Sequence, residues 1–188
     1  MRETGWVAGV ILAVATLALP VVAQDAGKKD AVKPLPTASQ AVLESWNEVG
    51  RKLVAMAEDF PEDKYDYKPT PAVRSFAEQL LHAAGANYFF TNPAQGQKPP
   101  AEEDPKRDKY KTKSDVVAFV KKSFEDGAAA IKAKGDKGMS ETVTLGKDQV
   151  RISDLAYGLI EHSGEHYGQL VLYYRTSGLV PPESRPKK

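Results

Sequence analysis

The chain has 188 residues, 41% of them hydrophobic and 27% charged, and its formal net charge at pH 7 is +1. This length and balance predict one ordinary globular domain, and the near-zero net charge argues against nucleic acid as a partner. Cysteine is absent, which excludes disulfides, thiolate nucleophiles and cysteine metal ligands, so any metal must be bound by nitrogen and oxygen atoms.

Residues 1–23 predict a signal peptide. Arg2 supplies a positive charge, residues 6–19 form an apolar run, and the small side chains that end at Ala23 fit a signal-peptidase site. The run is shorter than the roughly 20 residues that a membrane-spanning helix needs. We therefore expect cleavage before Gln24, a periplasmic or secreted location, and no stable membrane insertion of the mature chain. An uncleaved N-terminal anchor is the alternative.

Residues 24–36 are rich in Ala, Lys, Asp and Pro, which predicts a flexible tether. The folded domain is predicted to span residues 37–184. Its first helix begins near Thr37 or Ser39 and runs to about Asp59, because apolar residues recur there at intervals of three and four.

The second helix has a clear predicted start. Ser75 and Glu78 fit a capping box, in which each side chain satisfies an amide at the helix start. Asn92 and Pro93 are predicted to close this helix. The polar, proline-containing residues 94–113 predict a long exposed loop.

Ser114 is the predicted cap of a third helix, which covers residues 115 to about 134. Residues 135–146 predict a loop, within which residues 141–145 form a short extended piece.

Ser153 is the predicted cap of the last helix, residues 154–176, and Gly178 supplies a left-handed residue after its end. Residues 185–188 are a predicted tail. Four helices joined by loops predict an all-α fold, a four-helix bundle.

The chain contains three histidines, His82, His162 and His166. The spacing of four places the imidazoles of His162 and His166 on one helix face, close enough to share a metal ion. His82 lies in the middle of the second helix and can face the same interior. Imidazole nitrogens buried without partners would cost roughly 1–3 kcal/mol each, and a divalent ion would satisfy three of them together. The alternative is that each ring has its own hydrogen bonds or that one ring faces solvent.

Three neutral nitrogen ligands are typical of an open catalytic zinc site, but nickel or another first-row divalent metal is equally compatible with them. Glu165 is the nearest acidic residue and the candidate catalytic acid–base group; the alternative is a surface carboxylate. Gln169 and Tyr173 share the histidine face and are candidates for lining the open side as cofactor-binding or substrate-binding residues. Plain core packing is the alternative for Tyr173.

The chain resembles the DinB-like family, also described as the DinB/YfiT-like metalloenzymes. The resemblance covers about residues 37–184. Its motifs are PTPAVRSF with LLH at residues 69–82, EHSGEHYGQL at residues 161–170, and YYR with GLVPPES at residues 173–184.

The resemblance implies a four-helix bundle with a three-histidine metal site, which maps onto His82, His162 and His166. It also implies two kinds of activity, because the family includes thiol-dependent transferases and isomerases, in which the metal activates a thiolate, and proteins described as metal-dependent hydrolases. Family members often form homodimers, although no residue pattern in this chain indicates an interface.

Three functional hypotheses remain open at this point. The first is an exported metal-dependent hydrolase or thiol-dependent transferase that acts on a small-molecule substrate. The second is a non-catalytic, stress-related metal-binding bundle whose coordination is completed by Glu78 or Glu165. The third is an interaction module whose loop, residues 98–113, contacts a partner.

Overall fold

Five helices and one β-hairpin make up the part of the chain that the computed structural model describes, residues 34–101 and 104–186. The predicted signal peptide, the tether up to residue 33 and the last two residues of the predicted tail lie outside the described residues. The helices are α1 (Ala38–Asp59), α2 (Phe76–Ala86), α3 (Tyr88–Ala94), α4 (Lys113–Met139) and α5 (Ile152–Thr176), and the strands are β1 (Thr142–Leu145) and β2 (Asp148–Arg151).

The helices form the predicted four-helix bundle, with α2 and α3 together in the place of the second helix. Helix α1 packs against α4 and α5, and the α2–α3 unit packs against the same two helices from the other side. No helix within the described residues combines the length and the apolar character needed to cross a membrane.

The first two helices each begin at a side-chain cap. The Thr37 hydroxyl accepts a hydrogen bond from the Gln40 amide, and the Gln40 side chain accepts one from the Thr37 amide. Ser75 and Glu78 form the same reciprocal pair at the start of α2. The predicted Ser75–Glu78 capping box is therefore confirmed, and the Thr37–Gln40 box is a feature that the sequence analysis did not identify.

Two predicted helix starts are wrong by a few residues. Helix α4 is capped by Thr112, because its hydroxyl and the Asp115 carboxylate each accept the other residue's amide, and Ser114 lies inside the first turn. Helix α5 begins at Ile152, ahead of the predicted cap Ser153. Strand β2 runs directly into α5, so the chain enters the helix without a side-chain cap.

The second helix is interrupted at Asn87 and ends at Ala94, beyond the predicted closure at Asn92 and Pro93. Asn87 is fully buried and donates its side-chain amide to the Ser123 hydroxyl at 3.1 Å. Pro93 lies inside α3, and the helix ends one residue later.

The predicted loop after the third helix is largely ordered. Helix α4 continues across a kink at Gly135, whose φ is +56°, and reaches Met139. The predicted extended piece is strand β1, and the sequence reasoning missed its partner β2. The two antiparallel strands turn at Gly146, which has a φ of +61°, a value that glycine adopts without strain.

Most described residues of the loop between α3 and α4 are exposed, as predicted, and two of its partly buried residues contact other parts of the chain. Arg107 forms an ion pair with Asp66 at 3.0 Å, and the ring of Tyr110 lies 4.7 Å from that of Phe119. Arg185, the first residue of the predicted tail, is likewise held to α1 by an ion pair with Asp59. Binding of a separate partner by this loop stays a prediction.

Candidate metal centre

Three imidazole rings from two helices meet at one point between α2 and α5. His82 lies in the middle of α2, and His162 and His166 lie one turn apart on α5. Nε2 of His162 is 3.3 Å from Nε2 of His82 and 3.0 Å from Nε2 of His166. One ligand atom from each ring lies within 4.8 Å of the other two, so the predicted convergence is observed.

The centre lies below the protein surface. His82 and His166 are each 6% exposed, and His162 is partly buried. Burial, followed by repulsion from His162, lowers the pKa of His166 from its ordinary value of 6.5 to about 4. His166 is therefore neutral at pH 7 and retains a lone pair that can bind a cation.

A carboxylate behind His82 determines which nitrogen of that ring faces the centre. Asp104 contacts Nδ1 of His82 through one oxygen and Arg74 through the other, at 3.0 Å. Burial alone would raise the pKa of the Asp104 carboxyl, but the hydrogen bonds with His82 and Arg74 outweigh it and lower this pKa. Because an ionised carboxylate only accepts hydrogen bonds, His82 carries a proton on Nδ1, and its Nε2 faces the other rings.

Two glutamines contact the outer nitrogen of His166. Oε1 of Gln169 lies 3.1 Å from Nδ1 of His166, and an amide oxygen only accepts. Gln79 is buried, donates to Oε1 of Gln169 at 2.5 Å, and contacts Nδ1 of His166. Because an amide nitrogen only donates, Nδ1 of His166 has one acceptor and one donor beside it, and its Nε2 faces the other rings.

This set of donors fits a single divalent ion. Metal–nitrogen bonds of about 2.0–2.1 Å in a tetrahedral centre place neighbouring ligand atoms roughly 3.3 Å apart, and the Nε2 separations are 3.3 and 3.0 Å. Nε2 of His162 lies close to the Nε2 atoms of both other rings and can donate at most one proton to them, so a proton on His162 cannot satisfy both contacts. The chemistry of the three rings is thus satisfied by a shared positive ion.

A comparison with family models identifies the family of this chain. The model described as the DinB superfamily matches residues 45–170, about two thirds of the chain, and this range includes all three histidines. The chain belongs to the DinB superfamily.

Solved structures of DinB-like proteins share the fold of this superfamily member. A DinB-like protein from Bacillus subtilis is 17% identical, with a TM-score of 0.60, and the match covers 78% of this chain and 99% of the other. A DinB-like protein from Bacillus cereus is 16% identical, also with a TM-score of 0.60, and the match covers 75% of this chain and 93% of the other. No curated protein gave a significant match.

The other predicted site residues of this DinB protein occupy different positions. Glu165 is an exposed residue of α5. Gln169 lies directly behind His166, and Tyr173 is 4% exposed and donates its hydroxyl to the Arg74 carbonyl oxygen at 2.6 Å. Gln169 and Tyr173 both line a cavity of about 670 Å³, together with Arg74 and Gln79. Binding of substrate there, and catalysis by Glu165, stay predictions.

Sequence reasoning missed two residues that contact the imidazoles. Gln79 lies three residues before His82, so helical spacing places it on a neighbouring part of the same face, a signal that was available. Asp104 lies in the loop between α3 and α4, and no local pattern connects it with His82.

Proposed function

We propose that this DinB protein is an exported enzyme that uses one divalent first-row metal ion, zinc or nickel among them, to act on a small-molecule substrate. The supporting observation is the convergence of the imidazoles of His82, His162 and His166, in which Nε2 of His162 lies 3.3 Å from Nε2 of His82 and 3.0 Å from Nε2 of His166. Metal-dependent hydrolysis and thiol-dependent transfer are the two reaction classes that this centre supports.

The residues around the imidazoles would prepare them for the ion. Asp104 would hold a proton on the outer nitrogen of His82, and Gln169 and Gln79 both contact the outer nitrogen of His166. This fixes the orientation of both rings and makes their inner nitrogens better electron donors. Gln79 donates a hydrogen bond to Gln169, so the position of His166 does not depend on a single exposed side chain.

The donor set favours an open site rather than a closed one. Glu78, one of the two predicted candidates for a fourth ligand, is occupied by the α2 cap and by an ion pair with Lys68 at 3.3 Å. Within the described residues, the ligand cluster consists of the three histidines. When bound, an ion with an open position would activate a water, a thiol or a carbonyl group by Lewis-acid chemistry.

Hydrolysis is the better supported of the two reaction classes if the chain is exported. Small thiols are less available outside the cytoplasm, whereas water is always present. The predicted signal peptide therefore favours water as the nucleophile, and a cytoplasmic location would favour a thiol.

A non-catalytic metal site is the second candidate, and one observation favours it. The three histidines join α2 to α5, so a bound ion would cross-link two helices of the bundle. An ion present at about 100 times its dissociation constant would stabilise the fold by about 2.7 kcal/mol through mass action alone.

Metal analysis of protein purified from its native compartment tests the site. We expect one divalent ion per chain, and we expect His82→Ala, His162→Ala and His166→Ala each to lose it. Glu161→Gln is the matched control, because it changes an exposed carboxylate next to His162 that is not part of the ligand cluster and should retain the metal. Full metal content in the histidine variants would refute the site.

Turnover separates the two candidate functions. The metal-loaded protein is assayed with esters, amides, epoxides and thiol-conjugation partners, in parallel with its melting temperature before and after chelation. Turnover that is lost in His166→Ala supports the enzyme. A large fall in melting temperature on chelation, without turnover on any of these substrates, supports the structural role.

A further inference from the structure

A second cavity borders the three-histidine centre at His162. It has a volume of about 480 Å³ and lies between the α2–α3 unit and α5. Its lining residues are Ala86, Phe89, Gly158, Leu159, Glu161 and His162. The volume falls within the 300–1,000 Å³ that is typical of small-molecule sites.

The spacing of residues along α5 explains why the cavity lies there. Gly158, His162 and His166 are four residues apart and therefore share one stripe of the helix. The stripe carries an imidazole at two successive turns and no side chain at the third. A Cβ atom added at Gly158 would have no neighbour within 4 Å, so the glycine leaves open space one turn from His162.

The opposite wall of the cavity is formed by the α2–α3 unit, and the spacing of residues along these helices again explains which side chains lie there. Ala86 lies one turn after His82 on α2, and Phe89 continues that face into α3. The small side chain of Ala86 faces the gap left by Gly158, and Phe89 closes one side of it. Two small residues thus flank the metal-binding stripes at the same level of the bundle.

The chemistry of the walls identifies what the cavity accepts. Phe89, Leu159 and Ala86 are apolar, and Phe89 and Leu159 remain partly exposed, so a non-polar ligand would remove their surface from water. The exposed carboxylate of Glu161 at the rim disfavours an anionic group.

The cavity on the Gln169 side is different. It is lined by Arg74, Gln79 and Gln169, and both glutamines contact His166 at its outer nitrogen. They therefore separate that cavity from the ring. His162 itself lines the smaller cavity, so a ligand there contacts an imidazole of the centre directly.

We propose that the cavity formed by Ala86, Phe89, Gly158 and Leu159 binds the alkyl or aryl part of an uncharged small molecule whose polar group reaches the three-histidine centre. The substrate class is then a neutral compound with one apolar arm. This inference rests on the proposed function, because the polar group must meet the metal-loaded histidines.

Two hydroxamates that differ only in the apolar arm test the inference. The protein is loaded with Co²⁺, and its visible spectrum is titrated with acetohydroxamate and with benzohydroxamate. We expect benzohydroxamate to bind about 10-fold more tightly or better, because its ring fills the cavity. Gly158→Leu, which occupies the cavity, should abolish this preference and leave Co²⁺ binding intact.

Gly164→Leu is the matched control. Gly164 lies on the same helix, and a Cβ there also has no neighbour within 4 Å, but the residue does not line the cavity. It should keep the preference for benzohydroxamate. Gly158→Ala is the milder variant, since alanine favours the helix more than glycine does, and it should reduce the preference partially.

The outcomes distinguish the cavity from the metal site. Equal affinity for the two hydroxamates in the unmodified protein, or an unchanged preference in Gly158→Leu and Gly158→Ala, overturns the inference about the cavity. Binding of Co²⁺ without a spectral response to either hydroxamate shows a closed centre and refutes the proposed enzyme. Failure to bind Co²⁺ refutes the metal site itself.

Discussion

Two interfaces between helices in this bundle differ in their chemistry. We call the interface between α1 and α4 the aromatic seam and the interface between α2 and α5 the imidazole seam. Between α1 and α4, Trp46 is fully buried against Phe124, with ring centroids 5.7 Å apart, and its Nε1 donates to the Phe124 carbonyl oxygen at 2.9 Å. Between α2 and α5, three imidazoles approach to centroid distances of 4.3 to 5.1 Å.

The difference shows which interface has its polar groups satisfied within the chain and which one depends on an added ion. The aromatic seam buries apolar surface, and its one buried polar group, the Trp46 indole N–H, has a partner within the chain. The imidazole seam brings together ring nitrogens that face one another, so its free energy depends on a cation or on protons. We expect the first seam to respond to packing changes and the second to metal and pH.

Removal of the central aromatic ring should have the largest effect. Trp46→Ala leaves a large cavity in the α1–α4 seam and should lower the free energy of unfolding by about 3–5 kcal/mol. The loss should be the same with and without bound metal, because Trp46 does not contact the histidines. Urea unfolding in the presence of metal and in the presence of chelator measures both values.

Tyr157→Ala is the control for that comparison, because Tyr157 is a large residue on α5 that is 68% exposed. Its effect should stay within about 0.5 kcal/mol. A loss for Trp46→Ala that depends strongly on chelator would show that the two seams are energetically coupled.

Acidification should weaken the imidazole seam of the metal-free protein. The pKa of His166 is about 4 in the folded chain and 6.5 as the ordinary value. Between these values the unfolded chain binds more protons, so this group's contribution to stability is complete above pH 6.5 and is lost as the pH falls toward 4. Urea unfolding in chelator at several pH values from 7 to 4.5 measures the slope.

His166→Gln is the comparison variant, since it removes the titrating group and should flatten the slope in this window. The carboxyls of Asp59 and Glu78 have lowered pKa values and lose their contributions at lower pH. An equal slope in His166→Gln would assign the pH dependence to other groups.

Loss of the carboxylate behind His82 should weaken metal binding without breaking the fold. Asp104→Asn removes the negatively charged acceptor at Nδ1 and should reduce metal affinity about 10- to 100-fold, the range typical of such partners. Competition with a chromophoric chelator measures the affinity. Asp108→Asn removes a charge from the same loop and should bind metal normally. Equal affinities in both variants would remove Asp104 from the site.

Local sequence patterns were enough to predict the elements that depend on neighbouring residues. The Ser75–Glu78 capping box, the interval of four between His162 and His166, and the left-handed Gly178, with a φ of +74°, are all observed. Each depends on contacts within a single turn of the chain, which one sequence shows directly.

The remaining features depend on contacts between distant parts of the chain. Asp104 reaches His82 from a loop, 22 residues away. Strand β2 exists because it pairs with β1, and this pairing places the start of α5 at Ile152 rather than after Ser153. The hairpin had a local signal that the sequence analysis missed, because Gly146 and Lys147 form a two-residue turn between two short runs. The acceptor behind His82 had no such signal and required the structure.

A glycine-to-alanine substitution, made once in α5 and once in α4, should produce the smallest changes in stability, and the two changes should have opposite signs. Gly164 lies on the exposed face of α5, where a Cβ meets nothing within 4 Å, so Gly164→Ala should stabilise the protein by about 0.5–1 kcal/mol through helix propensity. At Gly127 of α4 a Cβ would overlap the ring of Trp46, which is fully buried and cannot move aside. Gly127→Ala should therefore destabilise, although alanine favours both helices equally. Thermal unfolding shows whether each variant is more or less stable than the unmodified protein. Stabilisation by both substitutions would show that a methyl group fits beside Trp46, contrary to the packing in the structure.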